Sequence, residues 1–213
     1  MSTDELLKVL YSCKIYDLSQ EYYIGMPSFP GHRSPAFLYY LYRHHENYYK
    51  PELGNLRTSA SGIIIMTDQS GTHIDALCHQ AYNLTFYDNT KVSQDIETPW
   101  GFIKLGAESI PIIIKRGVLV DVAGYIRDPL PERYEITLND FLNTIKNENI
   151  EINKDDIVLV RTGYGKYWYD PEKYINAAGV SKDVSLWLRD RKVFAVGIDN
   201  LSWDLLNTDL PGH

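Results

Sequence analysis

Three features that mark other classes of protein are missing from this sequence. It contains no apolar run long enough for a membrane span and no cluster of Lys or Arg, and its formal net charge is −7. A membrane helix needs about 20 successive apolar residues and a nucleic-acid binder needs a basic face, so we expect contact with neither a membrane nor a nucleic acid. Residues 1–13 lack the basic and apolar regions of a secretory signal, so none is expected.

Cysteine is also scarce in the chain. The two cysteines, Cys13 and Cys78, are too few for a disulfide framework. Because free thiols in a chain of this size suit a reducing compartment, the sequence predicts a cytoplasmic protein.

Aromatic residues, in contrast, are abundant. They make up 13% of the chain, and 17 of them are tyrosines. Such rings fill hydrophobic cores, and they also line pockets for flat organic substrates. A chain of 213 residues with 44% hydrophobic content can bury a sizeable core, so we expect one domain over residues 1–213.

Capping signals and apolar periodicity predict an α/β domain. Helices are expected after Ser2, which has capping-box spacing to Glu5, from Thr137 to about Asn147, and over residues 181–190. Apolar and β-branched runs predict strands over residues 15–18, 62–67, 112–114, 118–122, 156–161 and 193–198, with 62–67 and 156–161 buried. Residues 36–42 fit either an extended segment or a helix. Strands crowd the first half and alternate with helices in the second, which favours a substantial sheet without a linker.

Two of the six histidines lie in one short segment beside a carboxylate. In an extended chain, His73 and Asp75 project from the same face, where they could bind Zn²⁺ or Mn²⁺ together. His79 follows four residues later as a candidate ligand, base or supporting group, and Gly71 allows close approach of the backbone. Alternatively, His73 is a hydrogen-bonded core histidine and Asp75 a turn residue.

The longer string decides between these alternatives. The run Gly71-Thr72-His73-Ile74-Asp75-Ala76, followed by His79, resembles the signature of the cyclase family of metal-dependent hydrolases, which includes kynurenine formamidases and isatin hydrolases. The usual family pattern is His-x-Gly-Thr-His-x-Asp-Ala-Pro-x-His. Similarity extends over most of the chain, in residues 15–19, 26–31, 116–122, 156–163, 196–199 and 210–213.

The resemblance implies a role for each site residue. His73 and Asp75 would bind the catalytic metal, His79 would act as general acid and base, and Phe29 would contact the substrate. His213 would be a further ligand in members with two metals. The implied fold is a swivelling β/β/α-type single domain around a central mixed sheet, assembled as a homodimer or homotetramer.

This sequence departs from the family pattern at three places. Gln69 replaces the first ligand histidine; its amide oxygen is a weaker, neutral ligand that still suits a hard ion such as Mn²⁺. Leu77 replaces the proline, which alters only a local turn. The family pattern also continues past the late histidine into an apolar strand with a ligand glutamate, whereas this sequence ends at His213. Either the sequence is a piece of a longer protein or the second metal site is missing.

The sequence therefore predicts a hydrolase that cleaves an amide bond in an aromatic small molecule by metal-activated water. The alternatives are a lactone hydrolase or cyclase, which uses the same acyl chemistry, and a non-catalytic binder of metal or ligand. A nucleophilic role for Cys78 is disfavoured, because neighbours on an extended chain face opposite sides and His79 would point away. Asp199 fits either a supporting role at the site or a turn cap.

Overall fold

The computed structural model describes residues 2–31, 36–44 and 49–206. They form an α/β fold, as predicted, with parallel and antiparallel strand pairs. The helices are α1 (Thr3–Ser12), α2 (Val122–Ile126), α3 (Leu138–Asn147), α4 (Pro171–Tyr174) and α5 (Lys182–Asp190). The strands are β1 (Phe37–Tyr42), β2 (Ser61–Met66), β3 (Glu97–Thr98), β4 (Gly101–Phe102), β5 (Gly117–Val120), β6 (Glu135–Ile136), β7 (Ile157–Val160), β8 (Gly179–Val180) and β9 (Ala195–Ile198). Within these ranges, no helix is both long enough and apolar enough to cross a membrane.

A parallel three-stranded sheet in the order β5-β7-β9 organises the second half of the chain. β7 lies in the centre, with Val160 paired to Val120 on one side and to Ile198 on the other. Parallel strands need crossover connections, and α3 and α5 lie in those connections. Val120, Val158 and Val160 are buried in one hydrophobic cluster with side chains of both helices. The carboxyl ends of β7 and β9 therefore lie side by side.

The main hydrophobic core lies between this sheet and its helices. Phe141 of α3 and Val184 and Leu188 of α5 are fully or almost fully buried against it. A second, smaller cluster joins the N-terminal part of the chain to the turn after β7 and consists of Met26, Ala36, Phe37, Trp168 and Tyr174.

The capping signals place two helices correctly. Ser2 and Glu5 form the capping box of α1, and Thr137 forms one with Asp140 at α3. The helices differ in what they contact, since every described side chain of α1 is exposed whereas α3 buries Phe141 and Thr144.

Two further elements, the strand β5 and the helix α5, also agree with the sequence predictions except for small shifts of their ends. The strand predicted over residues 118–122 ends at Val120, because Asp121 accepts a hydrogen bond from the Gly124 N–H and caps α2. Residues 36–42, for which two alternatives were open, form a strand.

Three strand predictions need correction. Residues 62–67 form a strand as predicted, but it is not buried: Ile63, Ile64 and Ile65 are 45–61% exposed, because β2 pairs only with β1 among the described residues. Residues 15–18 and 112–114 are not strands, and Ile15 and Ile112 are 85% and 93% exposed. An apolar run predicts a strand only if a neighbouring strand can pair with it, and neither segment has such a neighbour in the described ranges.

The two capping boxes generate a stability prediction. Thr137→Ala should lower the free energy of unfolding by about 0.5–2 kcal/mol, because it uncaps a helix that carries core residues. Urea unfolding monitored by circular dichroism measures the loss. Ser2→Ala is the matched control, with the same capping box on an exposed helix, and should cost less. Equal losses would contradict the assignment of α3 to the stability-determining part of the fold.

Candidate metal and substrate site

The histidine segment begins where β2 ends, and it is anchored there by polar side chains. Buried Ser70 donates to the carbonyl oxygens of Thr67 (2.7 Å) and Ala36 (3.3 Å), and Thr67 donates to the Ser70 hydroxyl (3.1 Å). Ser70 also forms a β-bridge with Ser28. The start of the segment is thus tied both to β1 and to the loop that carries Phe29.

Gly71 turns the chain into the site. Its φ of +67° lies in the left-handed region, which a residue with a Cβ rarely adopts. The Gly71 carbonyl oxygen accepts a hydrogen bond from His73 Nδ1 at 2.8 Å. This bond places the proton of the ring on Nδ1 and leaves Nε2 as the nitrogen available to a ligand.

His73 and Asp75 face each other, although residues 73–76 have no regular secondary structure. His73 Nε2 lies 3.3 Å from Asp75 Oδ1, and the side chains are 30% and 53% exposed. When protonated, His73 donates a hydrogen bond from Nε2 to the Asp75 carboxylate, and this bond raises the pKa of His73 above its usual value, against the opposing effect of partial burial. The pair therefore attracts a positive charge, whether a proton or a cation, to the space between the two side chains.

A cavity of about 400 Å³ opens beside this pair. Five of the six predicted site residues line it, namely Phe29, Gln69, His73, Asp75 and His79. The sixth, His213, lies outside the described residues. The structure thus brings the predicted residues together, and their roles stay predictions.

The remaining part of the cavity lining was not predicted. It is formed by Tyr87 and Gln80 from the loop after the motif and by Val196 and residues 201–204 at the end of β9. The position of this loop follows from polar contacts: the Val180 N–H donates to the Trp203 carbonyl at 2.7 Å, and the Trp203 indole N–H donates to Ser185 at 2.9 Å. The available sequence signal was general, since ligands of open α/β sheets bind beyond the carboxyl ends of the strands.

Asp199 lies directly before that part of the lining and caps the turn after β7. Its carboxylate accepts hydrogen bonds from the backbone N–H and hydroxyl of Thr162 (2.6 and 2.7 Å) and from the N–H groups of Gly163 (2.9 Å) and Gly165 (3.5 Å). Of the two roles considered for Asp199, the turn cap is the one these contacts describe.

Cys78 and two aromatic residues of the turn after β7, Tyr164 and Trp168, do not line the cavity beside His73 and Asp75. Cys78 is buried, and this burial raises the pKa of its thiol, which disfavours the nucleophilic thiolate. Tyr164 and Trp168 are both 2% exposed and do not line the main cavity, so they serve packing.

The His73–Asp75 geometry fits a shared metal ion. Two ligand atoms that each lie about 2.1 Å from one ion are separated by about 3.0–3.4 Å at angles of roughly 90–110°, and the observed separation is 3.3 Å. Within the described part of the chain, no group of three or more His, Cys, Asp or Glu side chains has an arrangement that could hold a metal. A third protein ligand would therefore be an oxygen of another kind, such as the amide oxygen of Gln69, or would come from outside the described ranges.

The fold and the histidine–aspartate pair define an α/β protein with a candidate cation site at a strand end. The chain belongs to the Cyclase family, whose model, described as "Putative cyclase", matches residues 16–205. A comparison with curated proteins gave no significant match.

Solved structures share the fold over almost the whole chain. A novel cyclase superposes with a TM-score of 0.77 at 23% identity, over 96% of this chain and 71% of its own. Isatin hydrolase A from Ralstonia solanacearum gives 0.65 at 17% identity, over 96% of this chain and 74% of its own. A "predicted metal-dependent hydrolase" from Bacillus stearothermophilus gives 0.54 at 21% identity, over 94% and 74%. At these identities the likeness establishes the common fold.

The Asp199 cap generates the second prediction. Asp199→Asn should lower the free energy of unfolding by about 2–3 kcal/mol, because an amide has one acceptor oxygen instead of two and its NH₂ group would face backbone N–H donors. Asp190→Asn is the matched control. The Asp190 side chain is 66% exposed and pairs with its neighbour Arg189, so the change should stay within about 0.5 kcal/mol. Equal urea midpoints for the two variants would refute the structural role of Asp199.

Proposed function

We propose that this protein is a metal-dependent hydrolase that cleaves an amide bond in an aromatic small molecule, such as an aryl formamide or a cyclic amide. The observation that carries the proposal is the His73–Asp75 pair, 3.3 Å apart, with the His73 ring held by the Gly71 carbonyl. Membership of the Cyclase family supports this reading, as do structural neighbours described as an isatin hydrolase and a metal-dependent hydrolase.

His73 and Asp75 would hold the divalent ion, Zn²⁺ or Mn²⁺, with Gln69 as a weak third ligand. When bound, such an ion lowers the pKa of a water molecule from far above neutrality toward about 7 and polarises a carbonyl oxygen. The Nδ1–H bond to Gly71 suits this role, since metal-binding histidines commonly donate their other ring N–H to a carbonyl or carboxylate.

His79 lines the same cavity and is the residue we assign to proton transfer. It would take a proton from the attacking water as the new C–O bond forms. It would return that proton to the leaving nitrogen as the C–N bond breaks, so that a carboxylic acid and an amine are released. Such acid–base work contributes typically about 10²–10⁴-fold to the rate.

Three aromatic side chains in the cavity lining support a flat substrate. Phe29 lies in the loop that the Ser28–Ser70 bridge joins to the histidine segment. Phe29, Tyr87 and Trp203 all line the cavity. The lining includes charged and amide groups only near the His73–Asp75 pair and at Gln80 and Asp204. A flat ring packed against these side chains could present its amide carbonyl to the His73–Asp75 pair.

This assignment predicts different results at two adjacent positions. His79→Ala should lower kcat by about 10²–10⁴-fold and keep its bound metal, because it removes proton transfer and no ligand. Cys78→Ala should leave kcat nearly unchanged. The measurements are metal content and turnover of an aryl formamide, a cyclic aryl amide and an aryl lactone.

The same experiment distinguishes the competing functions. Loss of metal from His79→Ala would reassign His79 as a ligand, and an inactive Cys78→Ala with normal metal content would indicate a thiol mechanism. Turnover of the lactone alone would favour lactone hydrolysis or the reverse cyclisation. Metal binding without any turnover would indicate a binding protein, and His73→Ala, which should lose the metal, serves as the control for specific binding.

We also propose that the protein assembles as a homodimer or a larger homo-oligomer through the segment of residues 36–49. The support is the exposure of the β1–β2 pair, on which Tyr40 and its partner Ile63 are 57% and 45% exposed. Apolar sheet surfaces of this kind are commonly covered by another chain.

Light scattering tests the assembly. The wild-type protein should have at least dimer mass at micromolar concentration, and Tyr40→Lys should lower that mass, because it places a charge on the contact. Tyr125→Lys changes another exposed tyrosine, 43% exposed on α2, and should have no effect. A monomeric wild-type protein would refute the proposal.

A further inference from the structure

A segment near the N-terminus contacts the histidine segment directly. We call this segment, residues 20–23, the N-terminal strap. The backbone N–H of Gln20 donates to the Thr72 hydroxyl oxygen at 2.9 Å, and the Tyr22 hydroxyl donates to the Thr72 carbonyl at 2.8 Å. Thr72 immediately precedes His73, so both bonds restrain the backbone directly before His73.

The ring of Tyr22 also packs against Gly71. A Cβ atom at Gly71 would lie 2.0 Å from Tyr22 Cε1, which means that the ring occupies the space a side chain would need. On its other side the ring contacts buried Phe37 of β1, with centroids 5.9 Å apart. Tyr22 therefore lies between the strand and the turn and touches two consecutive residues of the turn.

These contacts act on the group that orients His73. The Gly71 carbonyl fixes the imidazole through Nδ1, and the Tyr22 hydroxyl fixes the next carbonyl along the chain. Because one peptide unit separates these two carbonyls, release of the second would allow the first to rotate and the imidazole to turn away from Asp75. A 3.3 Å ligand separation tolerates little rotation if both atoms are to reach one ion.

The strap is itself held by the parallel-sheet half of the fold. The Trp168 indole N–H donates to the Glu21 carbonyl at 2.7 Å, and the Tyr23 hydroxyl donates to the Trp168 carbonyl at 2.8 Å. The Gln20 side chain donates to the Gly165 carbonyl at 3.3 Å, in the turn that Asp199 caps. The strap thus transmits the position of a rigid turn to the histidine segment.

From this geometry we infer that Tyr22 is a positioning residue for the metal site: through Thr72 and Gly71, it holds His73 at the distance from Asp75 that a shared ion requires. The inference rests on the proposed metal site at His73 and Asp75. Tyr22 does not line the cavity, so its role would be to position His73 rather than to bind the ion.

Zinc affinity of the 213-residue chain, measured by competition with a chromophoric chelator, tests the inference. Tyr22→Phe keeps the ring against Gly71 and removes only the hydroxyl, and it should weaken Zn²⁺ binding by about 10–100-fold, the usual effect of losing a group that orients a ligand. Tyr23→Phe is the matched control, since it also removes one 2.8 Å hydroxyl-to-carbonyl bond of the strap, but to Trp168. It should weaken Zn²⁺ binding much less than Tyr22→Phe does, because the Trp168 indole and the Gln20 side chain still hold the strap, while the metal-free unfolding midpoints of both variants fall by similar amounts.

A second pair of variants tests the other bond between the strap and Thr72, so that the positioning of His73 by the strap is still measured if Tyr22→Phe does not fold. Thr72→Val removes the acceptor for the Gln20 N–H and should weaken Zn²⁺ binding, whereas Thr72→Ser keeps the oxygen and should retain the affinity. Unchanged affinity in Tyr22→Phe and Thr72→Val, or an equal loss in Tyr23→Phe, would overturn the inference. Failure of the wild-type protein to bind Zn²⁺ or Mn²⁺ would overturn the proposed metal site and the inference with it, and this result is visible before any substitution.

Discussion

The position of the segments that line the cavity depends on the carboxylate of Asp199, the residue directly after β9. Asp199 accepts hydrogen bonds from Thr162, Gly163 and Gly165, and so it fixes the turn after β7 relative to the neighbouring strand. The chain continues from Asp199 into residues 201–204, which line the cavity. The capped turn contacts the N-terminal strap, and the strap contacts the histidine segment, which also lines it. An exposed loop site is kept in shape by a buried half of the fold in this way.

Local signals in the sequence predicted the longer elements from β5 to β9, but not the short elements α2, β6, α4 and β8. Thr137 with Asp140 and the runs around Val120 and Val160 carry their own information, since a capping box and a buried parallel strand depend on nearby residues and on burial from both faces. Before β5, residues 15–18, 62–67 and 112–114 also contain apolar or β-branched runs. Their outcome depended on whether a partner strand was adjacent, which composition does not specify.

The site followed a similar division. His73, Asp75, His79, Gln69 and Phe29 could be named because they fall in or near one recognisable motif or loop, and the structure arranges all five around one cavity. Tyr87, Trp203 and Asp204 could not be named, because they reach the cavity through tertiary contacts such as the bond from Val180 to Trp203. Tyr22 escaped notice for the same reason, since 50 residues separate it from Thr72.

The close packing of Tyr22 on Gly71 has an evolutionary consequence. A side chain at position 71 and a phenol ring at position 22 exclude each other, since the added Cβ would lie 2.0 Å from the ring, and the φ of +67° at Gly71 adds backbone strain to any such change. Among related sequences, position 22 should therefore hold a large aromatic residue mainly where position 71 is glycine. Loss of the ring would leave a gap beside Phe37 that a compensating larger residue could fill. The two positions should change as a coupled pair, although they lie in different segments of the chain.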